Sequence, residues 1–206
     1  MRLRGVRRLV LLGLTGLLWM PLSARSELTP STPSHRAVEA IRLLESPDPY
    51  ERQLGFLRLE ALREPSTVEA IERYVAHPDP EVRAESLRAL AAIQGLVAAP
   101  RLLQALKTDR HPVVRRAALL GLEPLVKGHP DILPACLKAL RDRSTEVRIT
   151  AVDMVSRIDD PAAREAIRLR NKREGRRDVR RVLDLAMRRL AHNERQIPMD
   201  QIPNSK

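Results

Sequence analysis

The chain has 206 residues, a formal net charge of +11 and aromatic residues at only 2%. One cysteine excludes an internal disulfide, and so few rings exclude the aromatic stacking platform on which single-stranded nucleic acid is held. The length is ample for one core, which must be built from Leu, Val, Ile and Ala.

Residues 1–26 read as a secretory signal: a basic start at Met1–Arg8, an apolar run from Leu9 to Leu22, then Ser23-Ala24-Arg25-Ser26 with a cut before Glu27. The run falls short of the roughly 18–20 apolar residues of a membrane span. The expectation is an exported chain, periplasmic or secreted; the alternative is a chain anchored by an uncleaved signal. Arg2, Arg4, Arg7, Arg8 and Arg25 lie here without an acid, so removing five charges from +11 leaves +6 for residues 27–206.

Residues 27–33 form a Pro-containing linker. The predicted elements then come in pairs. The first is about Ser34–Leu44 and Pro49–Arg63, joined by the turn Ser46-Pro47-Asp48-Pro49. The second opens with a capping box at Ser66–Glu69, runs to about Ala76, and continues as Pro80–Gln94, with Gly95 as a stop. The third is about Val97–Lys107 and Pro112–Glu123, closed by Pro124. The fourth is about Asp131–Leu140 and Thr145–Ile158. The fifth is about Pro161–Asn171 and Asp178–Ala191, and residues 193–206 read as a loose tail. Asp79 and Asp160 each precede a proline, a pattern that caps and opens a helix at once.

One residue sets the register. Arginine recurs as Arg52, Arg83, Arg115, Arg148 and Arg180, at steps of 31, 32, 33 and 32 residues, the spacing of stacked repeats. Three positions on stand Gly55, Ser86, Ala118, Ala151 and Leu183. Four on stand Phe56, Leu87, Leu119, Val152 and Asp184; seven on stand Leu59, Leu90, Leu122, Val155 and Met187. A small residue followed by a large one at helical spacing lets one helix lie close against the next. The last unit, with Asp184 in the apolar column, reads as a cap.

Turn, Pro-x-Val-Arg and then Ala/Leu at helical spacing, clearest at Asp79–Leu90 and Asp109–Leu122, resembles the HEAT repeat in the short form of the phycobilin-lyase type. The resemblance covers roughly residues 34–192. It implies an all-α fold, an α-solenoid of about five helix pairs. It also implies a structural role for the arginine column Arg52, Arg83, Arg115, Arg148 and Arg180: a ladder with turn aspartates. An acid does stand six residues before three of them, as Asp109, Asp142 and Glu174. Guanidinium groups so placed can also reach carbonyls ending the preceding helix.

No chemistry-bearing constellation stands out. His35, His77, His111, His129 and His192 are scattered, and no Gly-rich phosphate loop, paired-cysteine site or nucleophile elbow occurs. The resemblance is to repeat shape, with no residue set for bilin chemistry. Cys136, on an apolar helix, reads as a buried thiol. The expectation is therefore a monomeric, non-enzymatic scaffold with no catalytic residue, metal or cofactor, binding a protein partner along its second helices. Arg88, Arg116, Asp153, Arg181 and Arg188 are the outward candidates. The alternative is a module for a polyanion (anionic lipid, other polyanion or nucleic-acid backbone) at the basic end, where Arg173, Arg176 and Arg177 lie within Arg164–Arg181 opposed only by Glu165, Glu174 and Asp178; a lyase-type enzyme stands third. Nucleic acid is not expected of an exported chain.

Overall fold

A proline placed directly after a capping aspartate starts three of the helices, at Pro49, Pro80 and Pro161. Asp48 and Asp79 each accept the backbone N–H two residues on, at 2.9 Å, and Asp160 does the same at 2.7 Å, so an otherwise orphaned helix N-terminus is satisfied. The computed structural model describes residues 32–195. The signal layout of residues 1–26, most of the linker and the tail from residue 196 lie outside the described residues.

The helices are α1 (His35–Leu44), α2 (Pro49–Leu62), α3 (Val68–Glu72), α4 (Pro80–Gln94), α5 (Ala99–Thr108), α6 (Pro112–Leu122), α7 (Ile132–Ala139), α8 (Thr145–Val155), α9 (Pro161–Arg173) and α10 (Arg177–Arg195). No strand occurs among the described residues, and the fold is an all-α solenoid of five helix pairs. The second helices α2, α4, α6, α8 and α10 pack one against the next as a continuous row, and α1, α3, α5, α7 and α9 cover it.

The periodic columns supply the seam of that row. Gly55, Ser86, Ala118, Ala151 and Leu183 are all buried, as are Phe56, Leu87, Leu119 and Val152. Asp184, in the same column as Leu119, is exposed, as an end unit requires. Burying each leucine contributes about 1.5–3 kcal/mol. Gly55 permits the close approach of α1 and α2: a Cβ there would stand 2.9 Å from the Ala40 carbonyl oxygen and 2.8 Å from Leu44. Cys136 is fully buried on α7, and burial pushes its thiol up to about 12, so it stays protonated.

Three local differences from the sequence expectation have simple causes. The capping box at Ser66–Glu69 is not formed. Pro65 opens a 3-10 turn over Pro65–Thr67, which places Ser66 inside it, and buried Thr67 donates through Oγ1 to the Glu64 carbonyl at 2.7 Å. The helix α3 therefore starts only at Val68, and it ends at Glu72, beyond which the amides of Tyr74 and Val75 bond to carbonyls three residues back. At the other end α10 runs on to Arg195, because nothing between Ala191 and Arg195 breaks a helix.

Pro80–Thr108 is apolar enough by composition to cross a membrane. It is nevertheless two core helices separated at Gly95, whose φ of 55° is the left-handed region that glycine tolerates. Leu87, Leu90 and Leu102 within it face protein.

Candidate functional site

Arg52, Arg83, Arg115 and Arg148 each stand four residues after the helix cap, and their side chains fold back over their own turns. Arg83 Nη1 donates to the carbonyls of His77 (2.8 Å) and Pro78 (3.0 Å), and Arg115 Nη1 to those of Asp109 (2.9 Å) and Arg110 (3.1 Å). Arg148 Nη1 does likewise to Asp142 (2.9 Å) and Arg143 (3.4 Å). The rest of the guanidinium points forward to the acid of the next turn. Arg83 meets Asp109 at 3.0 and 3.1 Å, Arg115 meets Asp142 at 2.8 and 2.7 Å, and Arg148 meets Glu174 at 3.1 and 3.5 Å. These are two-pronged, charge-assisted bonds, the strong kind.

The acids also hold their own turns. Asp109, Asp142 and Glu174 accept the amides of His111 (2.8 Å), Ser144 (2.7 Å) and Arg176 (2.9 Å). Burial alone would raise these carboxyls. The bonds from Arg83 and the His111 amide outweigh it and hold Asp109 low, and Arg115 and the Ser144 amide do the same for Asp142. Glu174, buried and bound by the Arg176 amide, Arg170 and Arg148, is brought down to about 2.

The two ends of the column differ. Arg52 donates to the carbonyls of Ser46 (2.8 Å) and Pro47 (2.9 Å), but the acid position of the next turn is His77. His77 Nδ1 accepts the Asp79 amide at 3.1 Å and so holds its turn without offering a carboxylate. Arg52 Nε is left buried and unpartnered. Arg180, at the far end, is exposed.

The other arginine candidates do not converge. Arg88 lies 3.8 Å from Glu85 on its own helix, and Arg116 lies 4.0 Å from Glu146 of the next unit. Asp153 is tied to Arg157 at 2.8 Å and to Arg189 at 3.6 Å. Arg176, Arg177, Arg181 and Arg188 are exposed on the last unit, while Arg173 lines a cavity of about 340 Å³ between α7 and α9 with Lys138, Arg141 and Arg170. Sequence reasoning overlooked Arg157, which bridges to Glu123 at 2.9 Å, and Arg189, which donates to Ser156 at 2.7 Å. Their signal was a cation and an acid on facing helices one repeat apart.

A larger cavity, about 760 Å³, opens between the first helices α5 and α7. Leu103, Leu106, Ala135 and Ala139 give it an apolar wall, and the rung Arg115–Asp142 also lines it. Lys107, Lys138, Arg141 and Arg143 stand around it. Its volume is inside the roughly 300–1,000 Å³ range of small-molecule sites.

Over this architecture the sequence matches HEAT repeats, at residues 39–123 and 99–188. The chain belongs to the HEAT-repeat family. It is 31% identical over 121 residues to the bilin biosynthesis protein RpcE of Synechococcus sp. (strain WH8020), a stretch that is 58% of this chain and 44% of that protein. The match thus spans less than half of that relative. Among solved structures it resembles a chain of the complex of CpcE and CpcF of phycocyanin lyase from Nostoc sp. PCC7120. There the TM-score is 0.60 at 24% identity, over 73% of this chain and 97% of that one. An engineered protein matches with a TM-score of 0.50 at 20% identity, over 75% and 79%. At these identities the structural likenesses show the fold alone.

The comparisons correct the functional expectation. A non-enzymatic exported scaffold was expected, with a polyanion module as the alternative and a lyase-type enzyme as the least favoured reading. The relative matched in sequence is instead a bilin biosynthesis protein, and that finding overturns the non-enzymatic scaffold reading. The error has a physical origin. A motif search looks for chemistry within one short segment, whereas a solenoid builds its cavities from side chains on neighbouring units.

Proposed function

We propose that this chain is a component of a bilin-lyase-type assembly, holding an open-chain tetrapyrrole while a second protein chain completes the site. The 31% identity to RpcE over 121 residues carries this reading. Two features support it: the solved chain it resembles belongs to a two-chain complex, and the α5–α7 cavity is large enough for a small organic ligand. In this role the ladder keeps adjacent units at fixed spacing, so that the cavity between them keeps its width. Rigid walls lower the ordering cost of binding. Cys136 takes no part, since it is buried and protonated.

The test is a titration of the full chain with biliverdin, followed by visible absorbance. Saturable binding with a shifted spectrum is expected. A spectrum that changes only in proportion to added pigment, without saturation, overturns the proposal.

A further inference from the structure

The α5–α7 cavity has an unbalanced charge. Asp109 and Asp142 in its wall are already bound to Arg83 and Arg115, and Arg143 donates to the Arg110 carbonyl at 2.7 Å. Asp131 is exposed and lies 3.9 Å from His129. Lys107, Lys138 and Arg141 have no acidic partner among the described residues, although all three border the same apolar wall. Lys107 and Lys138 each sit in the last turn of a helix, where a cation offsets the carbonyl end of the dipole. That favours each helix but leaves the ammonium free to take an anion.

We infer that Lys107, Lys138 and Arg141 form an anchor for carboxylates on a flat, apolar ligand seated between α5 and α7. Leu103, Leu106, Ala135 and Ala139 would cover the apolar body, and the three cations would take the acidic groups at its edge. Lys107 on α5 faces Lys138 on α7 and Arg141 in the turn after α7, so only a ligand that spans the gap meets all three charges. The inference rests on the bilin reading above, because an open-chain tetrapyrrole with two propionates is such a molecule. It goes further in naming the cavity, the residues and the part of the ligand they hold.

The experiment uses the full chain, with biliverdin and biliverdin dimethyl ester as probes, and three variants: Lys107→Gln, Lys138→Gln and the two combined with Arg141→Gln. All three positions are exposed, so circular dichroism of each variant should match the unaltered chain. The unaltered chain should bind the free acid about tenfold or more tighter than the ester, as several charge-assisted bonds acting together predict. In the triple variant that preference should vanish, with the ester's own affinity nearly unchanged. Raising the salt concentration should weaken the free acid and not the ester. If the unaltered chain binds biliverdin and the variants keep the full preference for the acid, the anchor is wrong and the bilin reading stands. If the unaltered chain binds neither probe, the bilin reading and the anchor both fall.

Discussion

The two ends of the arginine ladder carry the same residue in opposite circumstances. At the last rung towards the C-terminus, before the exposed Arg180, Arg148 meets a buried glutamate, Glu174, which is also bound by Arg170 and by a backbone amide. At the N-terminal end Arg52 makes the same bonds to its own turn, but His77 stands where the acid belongs and Arg52 Nε is buried without a partner. Holding a turn needs only an acceptor, and serine, histidine, aspartate and glutamate all supply one. Fastening one unit to the next needs a negative charge. The comparison therefore separates two tasks that share one column.

The largest effect should come from the well-fastened end. Glu174→Gln keeps the size of the side chain and an acceptor for the Arg176 amide, but removes the charge that Arg148 and Arg170 share. Stripping one partner from a buried pair costs about 3 kcal/mol or more. Urea unfolding of the full chain should show that loss. An unchanged midpoint would mean that the rung holds nothing together.

Acid should act at the same place. The folded-state Glu174 stands at about 2, below its ordinary value of 4.5, and Asp109 and Asp142 are also lowered. A depressed carboxyl contributes stability that is fully present above its unfolded value and is lost as the pH falls through the folded one. Stability should thus decline from about pH 5 downward to about pH 2. Glu174→Gln should flatten the low-pH part of that decline. A decline of the same steepness in the variant would place the acid sensitivity elsewhere.

The open end can be closed, and the gain should be smaller. In His77→Asp the new carboxylate can accept the Asp79 amide, as Asp109 accepts that of His111, and can face Arg52 as well. A partner for a buried N–H and a charge should stabilise the chain by about 1 kcal/mol. The gain should disappear when Arg52→Gln is added, since the two changes then share no contact. A gain that persists would come from the turn alone.

Much of this was legible in the sequence, for a definable reason. Arg52 through Arg180 recur at a fixed spacing, and in a stack a fixed spacing means a fixed place, so the fold and the seam residues Phe56, Leu87, Leu119 and Val152 could be read directly. The forward partner of each arginine was harder, because Arg83 and Asp109 are 26 residues apart and meet only when two units stack. The vacant rung was open to view in Ser46 and His77, which lack the charge of Asp109. The cavity was not legible. Lys107 and Lys138 look like ordinary helix-end lysines until α5 and α7 face each other across a gap, and no pattern in either helix fixes the width of that gap.

The smallest effect should be at the last position of the apolar column, and it bounds the stack. Leu119 lies in the middle of the row and is fully buried, whereas Asp184 occupies the same place in α10 and is exposed. Leu119→Ala would leave a cavity, at a cost of about 2–5 kcal/mol. Asp184→Ala removes a solvated carboxylate and should change stability by less than about 0.5 kcal/mol. The contrast matters because Leu183 and Leu190, on the same helix, are buried against α8 and α9. One side of α10 is thus core and the other is water, which is what ends an array in which each unit is covered only by its neighbours. A large loss at Asp184 would mean that something packs on this outer face, and that α10 is an inner unit of a longer assembly.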